Sequence, residues 1–380
     1  MREKLWFGVS FVVSAALVSA CAAPGEDAGA GASAVTNGSA SDPELDIGSG
    51  EEISLAQNTT WTIDMGASKT YRVVAYGDSI FAGYQRSIFT VARRSGPHVA
   101  GEYLAHRWGA NVEVVRRTTS GALSSEIVGI VDSDRSYMAD ASTRAVYFEM
   151  CGNDYLQART KLRNDTGSCD LSGLDDALAG CVRSMEAAMQ KINAAATTAK
   201  HRAVVNLYYP GFAADDTQAR CTDAAGQRIN IQQTLLPYMA HSNWQACTLA
   251  KRYGFDCVDA FAEFMGADYD TNGDGKVDSA ALRFDPSETE AQYLKRITVT
   301  LRSTVHDSNT HGVSTSGTAD YMFTDDTHPT YFGNTVSPGT GRGAPDFTAA
   351  QVVNGKNPQW NQFGHERMGW AISVRAPATP

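Results

Sequence analysis

Val73-Val74-Ala75-Tyr76-Gly77-Asp78-Ser79-Ile80 is an apolar run that stops abruptly in a turn with a serine at its tip. The run is apolar at successive positions rather than alternate ones, which suits a strand buried on both faces. A strand ending at Gly-Asp-Ser aims Ser79 out of a sheet edge, at the start of the helix that follows. A hydroxyl placed there becomes a nucleophile if a base can reach it.

Working outward, the first run covers 71–76. Further runs follow at 112–115, 145–150 and 203–209, with a weaker one around 255–260. Between the third and fourth, Leu174, Leu178, Cys181, Met185, Met189 and Ile192 recur at helical spacing. A second helix is expected over 287–305, with Leu294, Ile297, Leu301 and Val305 on one face and Ser287 and Glu290 as its capping box. Both stripes read as core packing. The alternation of strand and helix predicts an open α/β sheet, mostly parallel, of about five strands covered by helices on both sides. In such sheets ligands sit beyond the carboxyl ends of the strands. Ser79, Gly121 and Asn153 each follow the end of one of the first three runs.

A base and its orienter are present late in the chain, in Thr324-Asp325-Asp326-Thr327-His328-Pro329. Asp325, three residues before His328, can share one turn with it and hold the imidazole in the tautomer that takes a proton from Ser79; Asp326 competes for this role. An acyl-transfer site also needs donors for the tetrahedral oxyanion. The N–H of Ser79, the unobstructed backbone N–H of Gly121 and the side-chain N–H of Asn153 would supply three.

These blocks resemble, in order and in their wide final spacing, those of the SGNH (GDSL-type) hydrolases: Gly77-Asp78-Ser79-Ile80, Gly121, Gly152-Asn153-Asp154, and Asp325-Asp326-Thr327-His328-Pro329. The resemblance runs from about Tyr71 to the C-terminus. It implies a flavodoxin-like three-layer α/β/α sandwich and esterase or lipase activity. By the same likeness Ser79 is nucleophile, Asp325 and His328 complete the triad, and Gly121 and Asn153 are oxyanion donors. Ile80 replaces the family's usual leucine. The glycine and closing helix that often follow soon after the His-Pro are displaced to Asn361-Gln362-Phe363-Gly364-His365, with Met368 and Ala371. The intervening 331–360 is an insertion that reads as a lid, a specificity loop or a passive surface segment. No cofactor is implied for catalysis. The competing readings are a metal-dependent phosphoesterase, whose ligands are missing here because the first strand contains no Asp-x-His, and a catalytically silent cell-surface binding module on the same fold.

The N-terminus bounds the compartment. Arg2 and Lys4 precede an apolar run from Leu5 to Val18, shorter than the roughly 20 residues of a membrane span, so 1–20 reads as a signal peptide. Leu17-Val18-Ser19-Ala20-Cys21 resembles a bacterial lipoprotein box with Cys21 lipidated. Ala22 next to it resembles outer-membrane sorting, and plain secretion is the alternative. Residues 21–60 are poor in large apolar side chains and read as a flexible tether; 61–380 is the hydrolase domain. The net charge is −10 without a basic run, which argues against nucleic acid as a partner; the family resemblance implies a small-molecule, lipid or carbohydrate ester as substrate. Beyond Cys21, Cys151, Cys169, Cys181, Cys221, Cys247 and Cys257 suggest disulfides, and pairing within the two sequence clusters cannot account for all of them.

A second insertion near 268–281 reads like the first part of a calcium loop, with Asp270, Asn272, Asp274, Lys276 and Asp278 at its ligand positions. Ala281 stands where a bidentate acid is needed, and Asp268 would compensate. Such calcium would brace the loop rather than do chemistry. The other histidines, including His98, His201, His241 and His365, lack a ligand-type partner and read as core or surface residues.

Overall fold

A computed structural model describes residues 52–54, 58–85, 87–92, 95–208, 219–265, 282–303 and 364–380. Cys21 and the signal and tether up to residue 51, the calcium-loop residues Asp270, Asn272, Asp274, Lys276 and Asp278, and the 331–360 insertion lie outside the described residues.

The chain runs β1 (Glu52–Ser54), β2 (Thr59–Ile63), β3 (Thr70–Gly77), α1 (Ser79–Ala82), β4 (Tyr84–Gln85), β5 (Ser87–Ala92), α2 (Gly96–Trp108), β6 (Asn111–Thr118), α3 (Ser124–Ser133), α4 (Arg135–Ala139) and β7 (Thr143–Phe148). It continues through α5 (Gly152–Asn164), α6 (Ser172–Ala195), β8 (His201–Val205), α7 (Ile231–Tyr253), β9 (Asp256–Val258), α8 (Ala260–Met265), α9 (Glu290–Ser303) and α10 (Gly364–Ser373). The five apolar runs are β3, β6, β7, β8 and β9. They pair in parallel in the order β6-β3-β7-β8-β9, and β2 adds an antiparallel edge beside β6. That edge strand was not anticipated. Thr59-Thr60-Trp61-Thr62-Ile63 is polar on one face, and only pairing with β6 and burial of Trp61 make it a strand. Strand structure thus reaches upstream of residue 61. A separate antiparallel sheet is ordered β1-β5-β4.

Successive residues of β3 enter opposite cores, as the pleat dictates. Val73 and Ala75 face one core, to which α2, α8, α9 and α10 contribute. Val74 and Tyr76 face the other, filled from α3, α4, α5 and α6, while α7 supplies both. Leu174, Cys181, Met185, Met189 and Ile192 of α6 are buried in that second core as their spacing predicts. No helix among the described residues is long and apolar enough to cross a membrane.

The N-terminus of α9 differs from expectation. Ser287 is drawn into an Asx turn by Asp285, whose Oδ1 accepts from both its N–H and its hydroxyl. The capping box is instead Thr289 with Gln292: the Gln292 side chain accepts from the Thr289 N–H at 2.7 Å and the Thr289 hydroxyl accepts from the Gln292 N–H. Local competition for a serine side chain moves the helix start by two residues.

Three disulfides join Cys151–Cys181, Cys169–Cys221 and Cys247–Cys257. One lies within each sequence cluster and one bridges them, as odd counts in each cluster require.

The closing helix α10 docks on α2 through glycine. A Cβ on Gly369 would stand 2.5 Å from the Val99 Cβ and 2.8 Å from the Gly96 carbonyl oxygen, so the approach tolerates no side chain. The helix is also tied to α8 by Glu263, which is buried between Arg367 and Arg283. Burial alone raises the Glu263 pKa, but the two guanidiniums reverse that and hold it below the usual carboxylate range.

Two stability predictions follow from α10. Gly369→Ala is expected to cost about 1–3 kcal/mol by overpacking, read from denaturant unfolding. Glu263→Gln, which removes the carboxylate charge that the Arg367 and Arg283 guanidiniums face, is expected to cost about 3–5 kcal/mol at neutral pH. Because the folded pKa of Glu263 is depressed, its contribution is present above the ordinary carboxylate pKa and lost as pH falls through the lower folded value. The deficit of the variant should therefore shrink in acid.

Candidate active site

The five parallel strands, counted in chain order, lie 2-1-3-4-5, so the chain reverses its direction of travel across the sheet at β3. Ligand crevices in doubly wound sheets open at such a switch point, beyond the carboxyl ends of the strands. Three strands end level there. Gly77 pairs with Thr118 across β3 and β6, and Tyr76 pairs with Phe148 across β3 and β7. The ladder runs one residue further on each side, through Thr119 N–H to the Gly77 carbonyl and Glu149 N–H to the Tyr76 carbonyl, both at 3.1 Å. Ser79, Gly121 and Asn153 follow these three ends.

The serine turn is held by its own aspartate. Asp78 caps α1: its Oδ1 accepts the Ile80 N–H at 2.9 Å. The four-residue helix ends at Gly83, whose φ of 80° is a left-handed conformation suited to glycine. Ser79 is buried to 8% exposure at the floor of a cleft. Asp78 is more deeply buried, and its Oδ2 accepts from Asn153 Nδ2 at 2.8 Å.

The Asn153 amide also donates to the Ala122 carbonyl at 3.0 Å. It thereby links the ends of β3, β6 and β7 at one atom, and an oxyanion would share hydrogens that the resting site directs to Asp78 and Ala122. Gly121 precedes that carbonyl in a turn with φ 81°, again left-handed. Beside it, Asp154 receives the N–H and the hydroxyl of Ser124, both at 2.9 Å, and so fastens the start of α5 to the start of α3. Burial raises the Asp154 pKa, and the Ser124 bonds oppose that rise. Cys151 enters α5 with φ 89°, a conformation that costs a non-glycine residue about 1–2 kcal/mol, and its disulfide to Cys181 anchors it there.

Glu149 escaped the sequence reading. It sits in β7's apolar run one residue past the strand end, buried, and its Oε1 accepts the Asp78 N–H at 2.6 Å. Burial first, and then the negative charge of Asp78, hold its carboxyl well above the usual range. The signal was available: 145–150 is Ala-Val-Tyr-Phe-Glu-Met, and an acid inside a doubly buried run calls for a specific partner.

The described residues line an open cleft at the serine. Ser79 and Asn153 lie on its floor, and Met150, Leu156, Leu207 and Met239 give it apolar walls. Arg159 and Tyr208 also line it. Asp325, Asp326 and His328 lie outside the described residues; the structure brings Ser79 and Asn153 to one cleft, while Gly121 is not among the residues that line it and reaches the site only through its neighbour Ala122, whose carbonyl accepts from Asn153. Among the described residues no cluster of His, Cys, Asp or Glu could hold a metal ion. Among the other histidines, His98 is buried against Glu102, and His365 Nδ1 accepts the Gly96 N–H at 3.2 Å.

Comparison with known proteins bears on this site. The model of the GDSL-like lipase/acylhydrolase family matches residues 73–336. No curated protein sequence matches. Among solved structures, a lipase from a goat rumen metagenome is similar at 16% identity and a TM-score of 0.40, over 61% of this chain and 96% of that one. A phospholipase A1 from Streptomyces albidoflavus is similar at 16% identity and a TM-score of 0.38, over 61% and 98%. An extracellular lipase from Streptomyces rimosus is similar at 17% identity and a TM-score of 0.37, over 52% and 83%. With its match spanning most of the sheet and the serine turn at its start, this chain belongs to the GDSL-like lipase/acylhydrolase family and is an ester hydrolase.

Proposed function

We propose that the chain hydrolyses an acyl ester through a covalent acyl-enzyme on Ser79. The observation that carries this reading is the placement of Ser79 at the switch-point crevice, on the floor of an apolar cleft and beside the Asn153 amide. In the proposed sequence His328, oriented by Asp325, takes the proton from the Ser79 hydroxyl as its oxygen bonds to the ester carbonyl carbon. The developing oxyanion is met by the Ser79 and Gly121 N–H groups and the Asn153 amide. The tetrahedral species collapses, and the alcohol leaves with the proton from His328. Water, deprotonated by His328, then releases the acid and restores Ser79.

The Met150, Leu156 and Met239 walls favour an apolar acyl chain over an acetyl group. A calcium ion on Asp270, Asn272, Asp274, Lys276 and Asp278 would brace a surface loop, and titration calorimetry at millimolar calcium tests it. A lipid on Cys21 would place the enzyme at a membrane surface, as an exported lipoprotein.

Ser79→Ala and His328→Ala are each expected to lower kcat on p-nitrophenyl butyrate by at least about 10³-fold, and Ser79→Ala to abolish fluorophosphonate labelling. Labelling unchanged in Ser79→Ala would refute the nucleophile. Asp325→Asn should cost at least about tenfold more than Asp326→Asn. Across p-nitrophenyl esters of rising chain length, kcat/KM should rise beyond acetate before it falls.

A further inference from the structure

Beneath the serine turn two carboxyl groups meet in a buried space. Asp78 is 1% exposed and Glu149 is 6% exposed. Glu149 accepts the N–H of Asp78 at 2.6 Å and is also bonded by the N–H of Phe81, so one carboxyl gathers two amides of the turn that carries Ser79. The Asp78 side chain is a charged neighbour in that buried space, and burial together with its negative charge favours the neutral form of Glu149. A bond between the two carboxyls would require one of them to hold a proton. Asp78 already accepts the Ile80 N–H and the Asn153 amide, contacts that favour its ionised form. The proton therefore belongs to Glu149.

Gly77 fixes the place of the Glu149 carboxyl beneath the turn. A Cβ at that position would lie 2.2 Å from Glu149 Oε1 and 2.9 Å from its carboxyl carbon. The glycine of the Gly-Asp-Ser turn leaves the space that the carboxyl occupies.

We propose that Glu149 is a positioning residue for the hydrolysis: as a neutral acid it donates to Asp78, and through Asp78 it sets the serine turn and the Asn153 amide. The inference rests on the reading of Ser79 as nucleophile. Its physical content is a charge count. One proton shared by two carboxyls leaves a single negative charge beneath the site, where a second would oppose the oxyanion that forms above it. Asp78 is the charged group facing Glu149 from the β3–α1 turn. On α5, Asp154 is turned to Ser124, and Arg159 lines the same cleft.

The test compares Glu149→Gln, which copies the neutral acid's donor and acceptor, with Glu149→Ala. Glu149→Gln is expected to retain kcat within about fivefold, and Glu149→Ala to lose about 30- to 100-fold in kcat with KM changed less than about threefold. If both variants fold and lose kcat equally, an ionised carboxylate is needed and the proposal is wrong. A wild-type kcat in folded Glu149→Ala also overturns it.

Stability against pH gives a readout free of turnover, which holds even if Glu149→Ala does not fold or Ser79 is not the nucleophile. A carboxyl whose folded pKa is raised binds its proton more tightly when folded, so its contribution to stability falls as pH rises above its unfolded value of about 4.3. Glu149→Gln should therefore gain melting temperature relative to wild type progressively from pH 4 to pH 8. A difference that stays flat across that range would show that Glu149 ionises normally and would overturn the proposal. Full turnover in Ser79→Ala would instead sink the nucleophile and leave this titration standing.

Discussion

The hydrogen bond from the Asp78 amide to the buried Glu149 carboxyl ties the ends of β3 and β7 at the point where the chain must leave the sheet. Much of the site hangs on it. It requires glycine at residue 77, because any Cβ would occupy the carboxyl's place. It orients the Asp78 backbone so that the side chain caps α1 and meets Asn153. Through Asn153 the constraint reaches the Ala122 carbonyl beyond β6, so one polar chain joins the ends of three strands. Buried polar networks of this kind are costly unless each member is satisfied, and when satisfied they specify a single arrangement.

Around that centre the frame is rigid for ordinary reasons. The pleat of β3 divides its residues between two apolar cores, and helices cover both. The Cys151–Cys181 disulfide fixes the residue that enters α5 in a left-handed conformation just before Gly152 and Asn153. Glycine is the residue such a position favours, and the covalent tie to α6 offsets that preference here. On the other face, α10 closes against α2 at Gly369 and against α8 through Glu263. Met368 of this helix lines the cleft, so the last described helix reaches the site although it is far away in sequence.

Legibility tracked burial and locality. The five parallel strands were legible because each is a continuous apolar run, and α6 because its stripe is long and regular. β2 was not, since Thr59–Ile63 is a strand only by virtue of its pairing with β6. The start of α9 was misplaced because Asp285 takes the Ser287 hydroxyl and N–H and leaves the cap to Thr289, an outcome that spacing alone does not resolve. The positions of Ser79, Gly121 and Asn153 just past strand ends were legible, and Ser79 and Asn153 both line the cleft. Glu149 was passed over as part of a strand, although its charge set it apart.

By itself the sequence determined the class of fold, the five parallel strands and the need for a disulfide between the two cysteine clusters. These follow from periodicity, composition and parity, which are properties of the chain as written. The tertiary structure alone decided that β3 lies between β6 and β7, so that Ser79 and Asn153 share one crevice. It alone decided that Glu149 meets Asp78, and that the Asn153 amide is shared between Asp78 and Ala122. Strand order and burial bring residues about 70 positions apart within hydrogen-bonding distance, and no local pattern in the chain encodes a contact of that range.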